Sequence, residues 1–349
     1  MPSTQRASGA LFGMAFGDAF GAPTEFLSMA EILRRFPPDG PTVPLGYPAS
    51  LTAEKQITLV TDDTQMALAV GEALLEAPRP WAADTLEPVL RRHFIAWYTS
   101  PDNTRAPGNT CLAACEHLER GMPWHQATVL GSKGCGANMR VAPVGLLLDG
   151  EESTRAALAQ FQAALTHGHP TALAAADLTA MTVHYLANGN PVDALPEWLR
   201  AYAKEQREVY HADWLGPLWE RPGVTTPQDF IARGWDECLG VLDRLDAALA
   251  VPERVADPCL ATGAGWIAEE AFATGLLCFL LFPADPAAAI WRAAVTSGDS
   301  DSIACLTGAF AGAALGLAAW PTEWQSRIEY RERLCRLGAA WDRDEKAVV

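Results

Sequence analysis

Apolar residues recur with a helical period along most of this chain of 349 residues. Side chains three and four positions apart share one face of an α-helix, so this spacing predicts amphipathic or buried helices. The alternation of apolar and polar residues that is typical of strands is short or absent. The predicted helices cover twelve segments, which are residues 5–20, 62–77, 84–98, 108–120, 153–166, 171–188, 194–206, 227–250, 264–282, 284–295, 300–318 and 322–338.

Proline and glycine mark the joints between these helices, and no long polar linker divides the chain. Residues 207–228, which include Trp214, Pro217 and Trp219, predict a loop excursion between two helices. The pattern therefore predicts an all-α protein with a single domain over residues 1–340 and a charged tail at 341–349.

Glycine residues form two stripes with a spacing of four. On a helix this spacing leaves one bare face, along which another backbone can approach closely. We expect both stripes to pack against neighbouring helices at the centre of the protein; the alternative is that some of these glycines lie in turns. The stripes consist of Gly9, Gly13, Gly17 and Gly21 and of Gly308, Gly312 and Gly316.

Two acidic clusters, Thr61-Asp62-Asp63-Thr64 and Asp299-Ser300-Asp301-Ser302, each precede an apolar helical run. In the first cluster, helix capping accounts for one Asp and one Thr, but not for two adjacent Asp flanked by two Thr. Four carboxylates in one pocket repel one another in low dielectric, so they need protons or cations. Oxygen ligands without Cys or His favour Mg²⁺, Mn²⁺ or Ca²⁺ over zinc. If the clusters meet, they form an oxygen-lined site suited to two metals.

Four further elements are weaker candidates. The glycine-rich stretch Gly131–Pro143 leads into a short helix, an arrangement that can offer backbone N–H groups to phosphate, and 107–110 is a second such loop. Both are also compatible with plain turns. His167 ends a predicted helix, where a packed histidine is the ordinary case, and Glu25 is equally compatible with a loop on the surface.

Composition removes several functional classes. A net charge of −16 argues against a sequence-independent nucleic-acid binder or a binder of anionic membranes. The eight cysteines contain no CxxC pair, which favours a reduced, cytoplasmic setting. Residues 302–320 are uncharged over a length that approaches a membrane span. They are rich in Ala and Gly and lack basic flanks, so we expect a buried central helix.

Taken in order, these elements resemble the ADP-ribosylglycohydrolase family. The resemblance covers about residues 9–318, nearly the whole chain. The matching motifs are the N-terminal Gly9–Leu11, Gly17-Asp18, Gly21–Pro23 and Glu25-Phe26 pattern, Thr61–Thr64, the Gly134–Pro143 loop, Thr166-His167 and Gly298–Ser302. The chain departs from the family pattern at Cys135, where many members carry Asn, and at Pro107–Asn109.

The resemblance implies a compact orthogonal helical bundle with a central dinuclear site for Mg²⁺ or Mn²⁺. It also implies hydrolysis of the bond between the anomeric ribose carbon of ADP-ribose and an Arg or Ser side chain. By position, the implied metal ligands are Thr61, Asp62, Asp63, Asp299, Asp301 and Ser302. The implied catalytic residues are Glu25, Asp63 and Asp299, and the implied ADP-ribose contacts are Gly108, Ser132, Gly134, Cys135, Gly136 and His167.

The leading functional hypothesis is therefore a hydrolase that removes ADP-ribose from arginine side chains, with two divalent cations assisting water. Its expected partner is an ADP-ribosylated protein or a small molecule that contains ADP-ribose, without nucleic acid or membrane, and the expected state is a cytoplasmic monomer. The alternatives are a hydrolase of serine-linked ADP-ribose or of small esters, and a dinuclear-metal phosphohydrolase. A non-catalytic relative, similar to a lens crystallin, is disfavoured by the intact acidic clusters.

Overall fold

The computed structural model describes residues 4–36, 57–148 and 150–342, and these form α-helices, short 3₁₀ turns and loops without a β-sheet. The all-α prediction is confirmed. The helices are α1 (Arg6–Gly21), α2 (Met29–Arg35), α3 (Asp62–Glu76), α4 (Ala83–Tyr98), α5 (Asn109–Glu119), α6 (Trp124–Ala127), α7 (Ala142–Gly145), α8 (Glu152–Ala164), α9 (Pro170–Ala187), α10 (Leu195–Gln206), α11 (Ala212–Leu215), α12 (Pro227–Ala250), α13 (Cys259–Thr262), α14 (Ala268–Leu281), α15 (Pro286–Ala294), α16 (Ser300–Leu315), α17 (Thr322–Arg327) and α18 (Arg331–Trp341).

Each predicted helical segment contains a helix, and the differences lie mostly at helix ends. The segment 322–338 is divided into α17 and α18, because the backbone turns at Tyr330, where φ is 55°. The segment 264–282 becomes helical only at Ala268, since Gly265 has a φ of 82°. Helix α2, which the sequence analysis missed, begins with a capping box in which Ser28 and Glu31 exchange hydrogen bonds.

The two glycine stripes pack on each other, because α1 and α16 run antiparallel at the centre of the protein. A Cβ at Gly9, Gly13 or Gly17 would collide with the backbone of α16 or of the turn that follows it. The prediction of close central packing is confirmed for both stripes. Gly316 alone lies outside its helix, in the turn that ends α16, where its φ is 82°.

The other helices surround this central pair. Helices α9, α14 and α15 pack on α16, while α3 and α18 contact α1. Buried apolar side chains form one continuous cluster that extends from Ala7 in α1 to Trp341 in α18. Most of α16 is fully buried, as expected for residues 302–320. None of the helices in the described ranges has the length and apolar character needed to cross a membrane.

The C-terminal end of the described chain is tied to its N-terminal helix. Trp341, which the sequence analysis placed in the tail, is the last residue of α18 and is buried. The Asp342 carboxylate accepts hydrogen bonds from the N–H groups of Ala7 (3.0 Å) and Ser8 (3.1 Å) and from the Ser8 hydroxyl (2.6 Å). Residues 343–349 lie outside the described ranges.

Candidate metal-binding active site

Both acidic clusters face one cavity of about 420 Å³ between the start of α3 and the start of α16. Asp62 and Asp63 come from the first turn of α3. Asp299 precedes α16, and Asp301 lies in its first turn. The antiparallel packing of α1 on α16 places the start of α16 beside the end of α1. Carboxylates that are far apart in the sequence therefore share one pocket.

Three carboxylates form the tightest group in this cavity. Glu25, Asp299 and Asp301 each offer an oxygen, and these three oxygens lie within 4.8 Å of one another. Metal–oxygen bonds of Mg²⁺ and Ca²⁺ are about 2.0–2.6 Å, so one cation could contact all three oxygens. On the α3 side, an Asp62 oxygen accepts a hydrogen bond of 3.3 Å from the Gly108 N–H.

Burial and mutual repulsion favour the protonated forms of these acids. Burial, with repulsion from Asp301, Asp299 and Asp62, raises the pKa of Glu25 to about 10. Burial and the neighbouring Asp301 raise the pKa values of Asp62, Asp63 and Asp299 well above their usual range. No Lys or Arg is among the described residues that line the cavity. The cluster therefore requires protons or bound cations.

The Asp63 carboxylate provides a test of whether a cation fits. Its Oδ2 atom is buried, and among the described residues it has no hydrogen-bond partner. Buried polar atoms in native structures are almost always paired, and a lone buried carboxylate oxygen is costly. A hard divalent cation would satisfy this oxygen and reduce the repulsion between the acids. The residues present thus fit such an ion.

Asp18, which the sequence analysis named only as part of the N-terminal motif without a role, fixes the start of α3. Its carboxylate is fully buried and accepts hydrogen bonds from the N–H groups of Thr61 (3.0 Å) and Thr64 (3.1 Å) and from the Thr64 hydroxyl (2.5 Å). Burial and the nearby Asp301 raise the pKa of Asp18 to about 7. Through these bonds, α1 sets the position of Asp62 and Asp63.

Two predicted site residues lie outside the lining of this cavity. Thr61 lines a neighbouring cavity, and its hydroxyl accepts a hydrogen bond of 3.3 Å from the Asp63 N–H. The Ser132 hydroxyl oxygen lies 2.9 Å from the Thr110 hydroxyl oxygen, and Thr110 does line the cavity. Metal ligation by Thr61 and direct ligand contact by Ser132 stay predictions.

The glycine-rich loop, Gly108 and His167 line the same cavity as the acids. Gly108, Gly134, Cys135, Gly136 and His167 all line the cavity. A Cβ at Gly136 would meet the Cys111 sulfur at 2.7 Å, so the loop can pass here only without a side chain. The Cys135 N–H donates a hydrogen bond to the carbonyl oxygen of Trp266 (3.2 Å), so it is not available to bind a phosphate oxygen. Burial raises the pKa of the Cys135 thiol well above its usual range.

An aromatic pair, Phe26 and Trp266, lines the open side of the cavity. The two rings are stacked, with centroids 5.5 Å apart and an interplanar angle of 17°. Phe26 is 68% exposed and has a φ of 62°, a conformation that non-glycine residues rarely adopt. Trp266 was missed in the sequence analysis. The closely spaced Gly263 and Gly265 before it indicate a tight turn and were the available signal.

This chain resembles known proteins in its sequence and in its fold. The family model described as ADP-ribosylglycohydrolase matches residues 1–347. The chain is 30% identical over 221 residues to ADP-ribosyl-[dinitrogen reductase] glycohydrolase of Rhodospirillum rubrum, with 60% of this chain and 68% of that protein covered. It is 26% identical to ADP-ribosylarginine hydrolase Tri1 of Serratia proteamaculans, with coverages of 96% and 78%. It is 28% identical to human ADP-ribosylhydrolase ARH3, with coverages of 94% and 90%.

A solved structure of an ADP-ribosylglycohydrolase-related protein complex shares the fold. It aligns over 98% of both chains with a TM-score of 0.64 and 22% sequence identity. The match of the family model over nearly the full length is the decisive finding. The chain therefore belongs to the ADP-ribosylglycohydrolase family of enzymes.

Proposed function

We propose that this protein is a metal-dependent hydrolase that releases ADP-ribose from modified protein side chains, with arginine-linked ADP-ribose as its substrate. One observation carries the proposal: buried carboxylates at the starts of α3 and α16 meet Glu25 in a cavity that the glycine-rich loop also lines. A phosphohydrolase would need the acids but not a loop suited to ribose and diphosphate.

Arginine is favoured over serine by two observations. A relative that is aligned over 96% of this chain is named an ADP-ribosylarginine hydrolase. The net charge of −16 also favours cationic, arginine-rich protein targets. ADP-ribosylhydrolase ARH3 is aligned over nearly as much of the chain, so serine-linked ADP-ribose is the second candidate.

The acids of both clusters are the proposed cation ligands. Asp62, Asp63, Asp299 and Asp301 provide the carboxylates, and Thr61 and Ser302 provide hydroxyl oxygens. Two bound Mg²⁺ or Mn²⁺ ions would offset the repulsion between the acids and supply Lewis acidity next to the anomeric carbon.

The remaining chemistry is assigned to side chains of this protein. The Asp63 carboxylate can accept a proton from the attacking water through the oxygen that no cation occupies, and Asp299 lies in the same cavity. Glu25 is the least enclosed of the acids and borders the neighbouring cavity as well, so it can give a proton to the departing side chain. The negative carboxylates also favour the positive charge that develops on the ribose ring as the bond breaks.

The loop residues of the cavity are proposed to hold the rest of ADP-ribose. Gly108, Gly134 and Gly136 bring backbone close to the cavity without side chains, and Ser132 supports Thr110. Cys135 presents a neutral thiol, and His167 presents a ring nitrogen. Placement in the cytoplasm and a monomeric state stay part of the proposal.

The test uses peptides that carry ADP-ribose on arginine or on serine, incubated with the protein and Mg²⁺ or Mn²⁺. We expect mass spectrometry to detect free ADP-ribose from the arginine peptide, and no product after EDTA treatment. The matched control is Asp213→Asn, which alters an exposed acid far from both clusters in the sequence and should retain activity.

Other results would redirect the assignment. Release from the serine peptide alone would change the linkage, and release of inorganic phosphate would indicate a phosphohydrolase. Binding of ADP-ribose without turnover would indicate a non-catalytic relative and would overturn the proposal.

A further inference from the structure

Arg140, Thr166 and His167 form a buried hydrogen-bonded chain that leads from the Arg140 guanidinium to the cavity wall. The Arg140 guanidinium donates a hydrogen bond of 2.8 Å to the Thr166 hydroxyl oxygen. That oxygen lies 2.8 Å from Nδ1 of His167. Arg140 and Thr166 are completely buried, and His167 is 1% exposed while lining the cavity. The positions of the protons along this chain decide what His167 presents to a ligand.

Arg140 determines the direction of the first hydrogen bond in this chain. A guanidinium has only donors, so the Thr166 oxygen accepts from Arg140, and its single proton remains to be placed. Two acceptors are near this proton, His167 Nδ1 at 2.8 Å and the Ala163 carbonyl oxygen at 3.5 Å.

The Ala163 carbonyl is already occupied. It accepts backbone hydrogen bonds from the N–H groups of Thr166 (3.0 Å) and His167 (2.8 Å), which use both of its lone pairs. A distance of 2.8 Å is also typical of an O–H hydrogen bond, whereas 3.5 Å lies beyond the usual range. The Thr166 hydroxyl therefore donates to His167 Nδ1.

We propose that Arg140 and Thr166 are positioning residues that hold His167 as a neutral ring with its proton on Nε2, directed at an oxygen acceptor of the ligand. The role of that oxygen as part of ADP-ribose rests on the proposed function. Nε2 faces the glycine-rich loop, since a Cβ at Gly136 would lie 3.4 Å from it. A phosphate or hydroxyl oxygen in the cavity suits such a donor.

Two further observations support this arrangement. Arg140 cannot swing away easily, because it also donates to the side-chain oxygen and the backbone oxygen of Gln162 (2.8 Å each) and lies over the Phe94 ring at 4.4 Å. Burial and the positive charge of Arg140 lower the pKa of His167 to about 3, so the ring stays neutral near physiological pH.

The direct test is long-range ¹H–¹⁵N NMR on the full-length, ¹⁵N-labelled protein, with the His167 signals identified by their loss in His167→Gln. We expect a neutral ring with the proton on Nε2, unchanged between pH 8 and pH 5. A proton on Nδ1, or a charged ring at pH 7, would overturn the proposal. This spectrum needs no substrate and is independent of the assigned function.

Variants test the consequence for binding. Thr166→Val removes the hydroxyl with little change of shape, whereas Thr166→Ser keeps it. Loss of one hydrogen bond to an anionic or polar ligand corresponds to about tenfold weaker binding of ADP-ribose. We expect this weaker binding in Thr166→Val but not in Thr166→Ser. With the ADP-ribosylated peptide as substrate, it should be seen as a higher KM with a similar kcat.

Equal affinity of Thr166→Val and the wild type would contradict the positioning role. If Thr166→Val does not fold, the wild-type spectrum and the Thr166→Ser affinity still decide. If the wild type itself does not bind ADP-ribose, the proposed function fails while the spectrum continues to test the proton placement.

Discussion

The backbones of Gly13 and Gly308 lie directly against each other where the two central helices, α1 and α16, cross. A Cβ on either residue would overlap the backbone of the other. Helices usually pack with axes about 8–10 Å apart, and side chains set that distance. Here the absence of side chains allows the helices to approach closely, which brings the end of α1, and with it Asp18 and Glu25, beside Asp301.

The first prediction concerns this packing. Gly312→Leu should destabilise the protein by about 1–3 kcal/mol or more, because the new side chain would overlap the backbone of Gly9 and force the helices apart. The control is Gly240→Leu, since Gly240 lies on α12 where a Cβ would meet nothing within 4 Å. Urea denaturation followed by circular dichroism measures both. Equal midpoints for the two variants would show that the contact has no structural role.

The second prediction concerns the acids. Asp301→Asn should abolish turnover and reduce the stabilisation of the protein by added Mg²⁺ or Mn²⁺. A ligand present at one hundred times its dissociation constant stabilises the folded state by about 2.7 kcal/mol, and this increment should shrink in the variant. Thermal melting with and without metal measures it, and Asp213→Asn is the control. Full activity of the EDTA-treated wild type would contradict the proposed mechanism.

The third prediction concerns Asp177, a buried acid outside the candidate site. Its carboxylate accepts hydrogen bonds from Gln160 (2.8 Å) and Tyr202 (2.7 Å), but burial still raises its pKa to about 7. The folded state therefore binds this proton more tightly than the unfolded state, whose pKa is near 3.8. The resulting stabilisation is complete below about pH 4 and is lost as the pH rises to about 7.

The rise in the pKa of Asp177 corresponds to a stability difference on the order of 4 kcal/mol. We expect the free energy of unfolding of the wild type, relative to that of Asp177→Asn, to fall between pH 4 and pH 7 and then to level off. Chemical denaturation at several pH values measures both proteins under the same conditions, so the other acids cancel. A difference that stays constant with pH would refute the prediction.

The fourth prediction concerns Arg221, in the excursion at residues 207–228. Its guanidinium donates to the carbonyl oxygens of Leu130 (3.0 Å) and Gly168 (3.0 Å), in the two loops that carry Ser132 and His167. Arg221→Ala should therefore weaken ADP-ribose binding several-fold with little change in kcat, and should speed hydrogen exchange in residues 129–136. Arg233→Ala, which removes an exposed partner of Asp229, is the control. Unchanged hydrogen exchange in the loops around Leu130 and Gly168 would show that Arg221 does not stabilise them.

The sequence was informative where local pattern and chemistry agree. The periodic glycines predicted the central helices, and the paired carboxylates predicted the residues that share the cavity. The contacts made by Asp18 could not be predicted, because they join α1 to a segment more than forty residues away and depend on how the helices pack. The lining role of Trp266 and the bond that occupies the Cys135 N–H were missed for the same reason.

The four-residue repeat on both central helices has a further consequence, which concerns their register. A slide of α1 along α16 by four residues, about 6 Å, would again place glycine opposite a small residue, so the glycine contacts by themselves do not select one alignment. Polar contacts at the two ends of the α1–α16 pair favour the observed alignment. At one end Thr24 donates to the Ala294 carbonyl (2.6 Å) and Ser300 donates to the Gly21 carbonyl (3.0 Å). At the other end Arg6 binds the Ala313 carbonyl (3.1 Å). These polar contacts at the helix ends act together with the packing of Phe16 against Trp320 to fix the register, and with it the distance between Glu25 and Asp301.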